Sequence, residues 1–281
     1  MCRSSIQDAG YRASPLFRYE NEIPRVKPSA FPLSPYTHFV LARILSDVCR
    51  LTLTDGQRIL LCHSCDPYPV WIWLAHDATD AEKSETFCLA RRHLGLGEGR
   101  RFNLEPSLAA YFIERAEKEG RPLRAVTKLL SYSCQSPIRP LYEEDGEIRA
   151  AREDEEKESA ELLEAFKDEL GFDQTDKPAY RQTARTLIAE GRLFFYIDAH
   201  GERVAMASYG LHGEMGSINN VYTLPSARRK GYAARLVYGL TQSILSLGKK
   251  PLLYTDALYK ASNACYEKIG YKREGALVTL L

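Results

Sequence analysis

The chain has 281 residues, of which 44% are hydrophobic and 17 are tyrosine, and its formal net charge is +1. That length suits two ordinary domains better than one, with enough apolar residues to fill a core in each. The near-neutral balance argues against nucleic acid as a partner, no apolar run is long enough to cross a bilayer, and the seven scattered cysteines do not form a disulfide framework.

Residues 1–35 hold five prolines (Pro15, Pro24, Pro28, Pro32, Pro35) and little periodicity, so they read as an irregular lead-in. No apolar stretch follows their arginines, so no secretory signal is expected and the expected compartment is the cytoplasm. Phe39 to Leu51 is apolar at helical spacing. Arg58 to Cys62 and Val70 to Ala75 read as strands, the second apolar on both faces. Cys62-His63-Ser64-Cys65 has the spacing of a zinc or thiol-exchange pair, but a second pair of ligands is missing. The plainer reading is a strand running into a turn at Asp66-Pro67. Asp77 to Leu94 reads as a helix capped by Asp77 or Thr79 and ended by Gly95. Phe102 to Leu104 suits a short strand, and Ser107 to Glu119 a helix. Leu123 to Tyr132 fits helix or strand.

Pro137 to Asp145 breaks the pattern and marks a boundary, giving domains 1–140 and 141–281. Beyond it, Glu147 to Ala151 reads as a strand and Glu153 to Leu170 as a helix. The opening run Glu153-Asp154-Glu155-Glu156 favours the helix dipole, the alternative being an acidic site for a cation. Ala179 to Glu190 is a second helix. Leu193 to Ile197 and Arg203 to Tyr209 form a hairpin. Gly216 to Thr223 is a strand, Ala233 to Leu247 a strongly amphipathic helix, Pro251 to Thr255 a strand and Ala257 to Ile269 mostly helix. Tyr271 to Leu281 closes with one or two strands. The fold class is α/β, with a smaller mixed α/β domain at the N-terminus.

Between strand and amphipathic helix lies Pro225-Ser226-Ala227-Arg228-Arg229-Lys230-Gly231-Tyr232-Ala233. A turn that feeds a helix this way aims backbone N–H groups and the positive end of the helix dipole at one point. Three cationic side chains crowd the turn, and Gly231 removes a Cβ from the approach. That geometry suits a diphosphate.

Arg228-x-x-Gly231-x-Ala233 after this strand resembles the acyl-CoA pyrophosphate loop of the GNAT superfamily of N-acetyltransferases. Val221-Tyr222-Thr223-x-Pro225 resembles the family's preceding strand. Leu253-Tyr254-Thr255-Asp256 and Ser262-Asn263-Ala264-Cys265-Tyr266 resemble its next strand and following helix. The resemblance covers about Gly146 to Leu281. It implies a mixed, curved sheet flanked by helices, acetyl-CoA as cosubstrate and no metal. Whether residues 1–140 are a degenerate copy of the same fold stays open.

By that resemblance Arg228, Arg229, Lys230, Gly231, Tyr232 and Ala233 hold the pyrophosphate. The backbone of Val221, Tyr222 and Thr223 holds the pantetheine arm, with an N–H near Val221 polarising the thioester carbonyl; the Tyr222 side chain reads better as core. Asn263 also holds the arm, and Tyr266 is the general acid for the departing thiolate. Asn263 and Tyr266 lie three apart on one helix face. No general base is assigned: Ser217, Asn219 and Asn220 are not bases at neutral pH, and Glu214 and His212 precede the strand.

The expected activity is acetyl-CoA-dependent N-acyl transfer to a primary amine, carried by a small molecule or a peptide. The alternative is a non-catalytic CoA-sensing or partner-binding module, kept open by the missing base. The sequence does not fix the acceptor or the oligomeric state.

Overall fold

The structure, a computed structural model, describes residues 17–20, 26–141, 146–170 and 177–281. Most of the proline-rich lead-in and the polar run Glu143 to Asp145 lie outside the described residues. The chain packs as two compact units, Met1–Lys128 with Ala276–Leu281, and Leu129–Gly275. The division falls N-terminal to the Pro137 to Asp145 stretch.

In the first unit, β1 (Phe17–Glu20), β2 (Leu51–Thr54), β3 (Ile59–His63) and β4 (Val70–Leu74) form an antiparallel run. β5 (Phe102–Leu104) then pairs parallel to β4. β3 and β4 are buried along their whole length, as a doubly covered strand should be. Helix α1 (Phe39–Arg43) continues as a π turn over Ile44–Val48. The helix expected as far as Leu51 therefore stops at Val48, and Leu51 opens a strand the sequence did not suggest. Cys49 turns extended (φ −67°, ψ 126°), and pairing of Leu53 with Leu61 fixes the register of β2. Tertiary pairing overrides local periodicity here.

Helix α2 (Asp80–Leu94) starts at Thr79 with a capping box to Glu82 and ends at Gly95, whose φ of 71° is the left-handed stop that glycine permits. Helix α3 (Pro106–Lys118) follows β5. Phe87 of α2 meets Phe112 of α3 edge-on at 5.1 Å, within a core that includes Leu61, Ile72, Phe102 and Leu108.

β6 (Ala125–Ser133) begins in the first unit and enters the second at Leu129, and it resolves the helix-or-strand ambiguity as strand. Then come β7 (Glu147–Ala150), a 3-10 turn at Glu153–Glu155, α4 (Glu156–Glu169) and α5 (Lys177–Ala189). β8 (Leu193–Ile197), β9 (Arg203–His212) and β10 (Met215–Thr223) lead to α6 (Tyr232–Ser246). β11 (Lys250–Asp256), α7 (Lys260–Ile269) and β12 (Lys272–Leu280) close the chain. The tail of β12, Val278 to Leu280, pairs antiparallel with β5.

Across this unit the neighbours run β6, β11, β10, β9, β8, β7, antiparallel throughout except for the parallel pair β10–β11. Helix α6 buries Leu236, Val237, Leu240 and Ile244. It approaches β10 so closely that a Cβ on Gly216 would lie 2.4 Å from an Ile244 methyl. Helices α4 and α5 pack on residues of β8, β9 and β10 through a core that includes Leu163, Ile188, Phe195 and Met206.

The acidic run before α4 is structural. Glu155 is buried and accepts from the Arg149 guanidinium at 2.8 Å through both oxygens, from Arg203 at 2.7 Å and from the Arg152 amide at 2.9 Å. The Arg149 contacts above all hold its carboxyl down at about 2. Glu156 pairs with Arg185 at 2.8 Å. The reading of this run as a site for a free cation is thereby displaced. Among the described residues, no helix is long and apolar enough to cross a membrane, and no group of three or more His, Cys, Asp or Glu could hold a metal ion.

Candidate functional site

The site begins where two parallel strands part. β10 and β11 are paired only from Met215–Lys250 to Ile218–Leu253. Beyond that rung β11 keeps its partner β6 from Leu252 to Asp256, while β10 follows β9 alone. On the β9 side the register slips between Asn219 and Tyr222. Asn220 and Val221 face no residue of β9 or β11 in the ladder. This is a β-bulge, and Asn220 takes it in the left-handed region at φ 52°, which asparagine tolerates better than most residues. Its Nδ2 donates to Ser208 Oγ at 2.9 Å, and Ser208 Oγ donates to the Asn219 carbonyl at 3.3 Å, pinning the bulge to β9. The split opens at the carboxyl ends of two parallel strands, where ligands commonly bind such sheets.

The basic turn sits at that end. A 3-10 turn, Pro225–Ala227, leads into it. Arg229 stands at φ 67° and Gly231 at φ 81°, so left-handed residues alternate along the turn. Successive amides in such a path converge into an anion-binding concavity. Gly231 is the N-cap of α6 and provides no side-chain cap. The first intrahelical bond runs from the Arg235 amide to the Gly231 carbonyl at 3.1 Å. Helix geometry gives the amides of Ala233 and Ala234 no intrahelical acceptor.

The side chains of this segment divide by role. Arg229 and Lys230 are exposed on the turn. Arg228 instead braces it: Nε donates to the Thr223 carbonyl at 3.1 Å, the guanidinium pairs with Glu169, and the same group lies 5.8 Å from the Tyr222 ring centre. Tyr222 is buried edge-on against Phe166 at 6.2 Å. Tyr232 is buried against Tyr196 at 5.2 Å. Tyr222 and Tyr232 thus give their side chains to the core and leave only backbone to a ligand. Val221 and Thr223 are half-buried beside them.

Helix α7 starts just beyond the carboxyl end of β11. Asn263 Nδ2 donates to the carbonyls of Asp256 at 3.1 Å and Ala257 at 3.4 Å, tying α7 to the end of β11. Its Oδ1 is buried with no hydrogen-bond partner. A buried acceptor left unpaired costs free energy, so a ligand N–H at this point is chemically welcome. Tyr266, one turn on, is buried and meets Tyr271 edge-on at 6.1 Å. Burial raises its hydroxyl well above the ordinary tyrosine value, so it keeps its proton throughout the neutral range.

Neither residue considered as a base is at the split. Glu214 precedes β10 and pairs with Lys250 at 2.8 Å, which lowers its carboxyl. Seven residue steps along the chain separate it from Val221, about 23 Å at the usual strand rise. His212 ends β9 beside it. The sequence reading missed Asn220 as the residue that makes the bulge. The signal was present: paired asparagines inside an otherwise strand-like run. A cavity of about 450 Å³ in the first unit, bordered by His38, Arg58, Trp73, His76, Asp77 and Glu105, touches none of the expected site residues.

Residues 199–278 match the family described as FR47-like protein. No curated protein matches the chain. Among solved structures, a GCN5-related N-acetyltransferase from Sphaerobacter thermophilus superposes with a TM-score of 0.61 at 14% identity, covering 94% of each chain. A GNAT-family acetyltransferase from Colwellia psychrerythraea gives 0.57 at 15% identity, over 89% of this chain and 90% of its own. A GCN5-related N-acetyltransferase from Kribbella flavida gives 0.53 at 19% identity, over 79% and 85%. Residues 199–278 therefore carry an FR47-like domain, on a chain that has the fold of the GNAT acetyltransferases.

Proposed function

We propose that the chain transfers an acetyl group from acetyl-CoA to a primary amine on a small molecule or peptide. One coincidence carries the reading. The parted strands β10 and β11, the bulge at Asn220–Val221 and the glycine-turned start of α6 meet at the carboxyl end of β10. Each suits a different part of the same long ligand. The turn would take the diphosphate through the amides around Gly231, with Arg229 and Lys230 adding charge. The backbone of Val221, unpaired in the ladder, and that of Thr223, past the last rung with β11, would take the amide-bearing arm, and Asn263 Oδ1 would accept from it. The bound thioester supplies an electrophilic carbonyl. An N–H at the bulge stabilises the charge that gathers on its oxygen. Tyr266, which stays protonated, donates to the departing thiolate. The amine is delivered close to the carbonyl by the cleft itself.

A non-catalytic CoA-binding module is the second reading, favoured by one observation: Glu214, considered as a base, is held by Lys250 at the far end of β10 from the split.

Acetyl-CoA at about a hundred times its dissociation constant should add roughly 2.7 kcal/mol of stability, visible as a rise in the thermal midpoint. Arg229→Glu with Lys230→Glu should remove most of that rise. A double variant that binds acetyl-CoA as the native chain does would refute the turn assignment. Thiol release against a panel of primary amines separates the two readings, because a sensor binds and never turns over.

A further inference from the structure

We propose that Cys49 and Cys62 are an oxidisable thiol pair that closes to an intramolecular disulfide when a peroxide accepts the electrons. Cys49 follows the π turn at Ile44–Val48, and Cys62 lies inside β3 opposite Thr52 of β2. Their sulfur atoms are 3.0 Å apart. A disulfide bond is about 2.05 Å long, so closure needs roughly one ångström of further approach. Cys49 lies ahead of β2, outside its ladder with β3, in an extended backbone (φ −67°, ψ 126°).

The two thiols are unequal in the way such chemistry needs. Cys49 is half-buried and Cys62 fully buried. Cys49 Sγ shares hydrogen bonds with the Cys62 thiol and with the Thr52 hydroxyl, the latter also 3.0 Å away, and these bring its pKa down to about 6. Burial pushes Cys62 the other way. The reachable sulfur is thus the nucleophile. Cys49 thiolate attacks one peroxide oxygen and breaks the O–O bond, giving a sulfenic acid and hydroxide. Cys62 then attacks the sulfenic sulfur, and its proton leaves with the sulfenic hydroxyl as water. The sum is two thiols and hydrogen peroxide to one disulfide and two waters. Cys65, the other half of the Cys-x-x-Cys spacing, lies in the turn beyond β3 and does not belong to this pair.

The test is hydrogen peroxide on the full chain, followed by alkylation and peptide mapping under non-reducing conditions. The expected product has lost two hydrogens and joins the Cys49 peptide to the Cys62 peptide. Dithiothreitol reverses it, and Cys65→Ser retains it while Cys49→Ser does not. The idea is overturned if both cysteines remain alkylatable after oxidation, if Cys49 stops at sulfinic acid, or if the bridge joins Cys62 to Cys65. The native chain and Cys65→Ser decide the matter between them, so a folding defect in a Cys62 variant would not blunt it.

Discussion

Arg228 Nε donates to the carbonyl of Thr223 across 3.1 Å, so the first arginine of the basic motif closes the turn on which the others stand. Charge-assisted bonds of this kind are the stronger ones, and here the fork also reaches Glu169. Arg228→Ala should lower the thermal midpoint by roughly 2–4 °C and weaken acetyl-CoA binding through the loosened turn. Arg228→Lys should restore little, because one ammonium cannot reproduce the fork. Calorimetry with and without acetyl-CoA reads both effects; an unaltered midpoint would leave Arg228 as a ligand contact instead of a brace.

Arg229 pays for the concavity with its backbone, at φ 67°. A left-handed conformation costs a non-glycine residue on the order of 1–2 kcal/mol. Arg229→Gly should therefore stabilise the free protein by roughly 0.5–1 kcal/mol after the extra freedom of the unfolded glycine is subtracted. It should also weaken acetyl-CoA binding a few-fold by removing a charge. Urea unfolding in the absence of ligand decides the first half, and a less stable variant would count against the strain.

Tyr266→Phe keeps the ring against Tyr271 and removes only the hydroxyl. Turnover on a confirmed amine should fall roughly 10²-fold while acetyl-CoA affinity stays within about twofold. A matched loss of affinity and no loss of turnover would assign Tyr266 to packing.

Glu155 sets an acid limit on the second unit. Its folded value is about 2 against an ordinary 4.5. A lowered carboxylate contributes stability that is complete above the ordinary value and is lost as pH falls from about 4.5 toward 2. Glu155→Gln should cost roughly 2–4 kcal/mol at pH 7, since two arginines lose their partner. The gap between native and variant should narrow steadily below pH 4.5 in chemical-denaturation curves. A gap that stays constant with pH would show that Glu155 acts through packing alone.

Much of the C-terminal half was legible because its signals are local. The stripe of α6, the glycine at 248 and the basic turn each follow from periodicity and turn chemistry. What escaped depended on partners distant in sequence. Leu51 to Thr54 became a strand only through pairing with β3. The acidic run before α4 lost its availability to arginines 149, 185 and 203. Arg228 was expected to add charge for a ligand, and its pairing with Glu169, 59 residues earlier, could not be read from the local motif. The bulge at Asn220 was the largest omission: a single inserted residue barely disturbs a two-residue alternation, and the paired asparagines were its local sign.

That bulge has a consequence for how a ligand arrives. Ser208 and the slip in register hold Asn220 and Val221 turned out of the ladder. A guest sliding into the wedge need not prise strands apart. The ordering entropy of its main-chain contacts belongs to folding, so association should leave backbone amide exchange elsewhere in β9 nearly untouched.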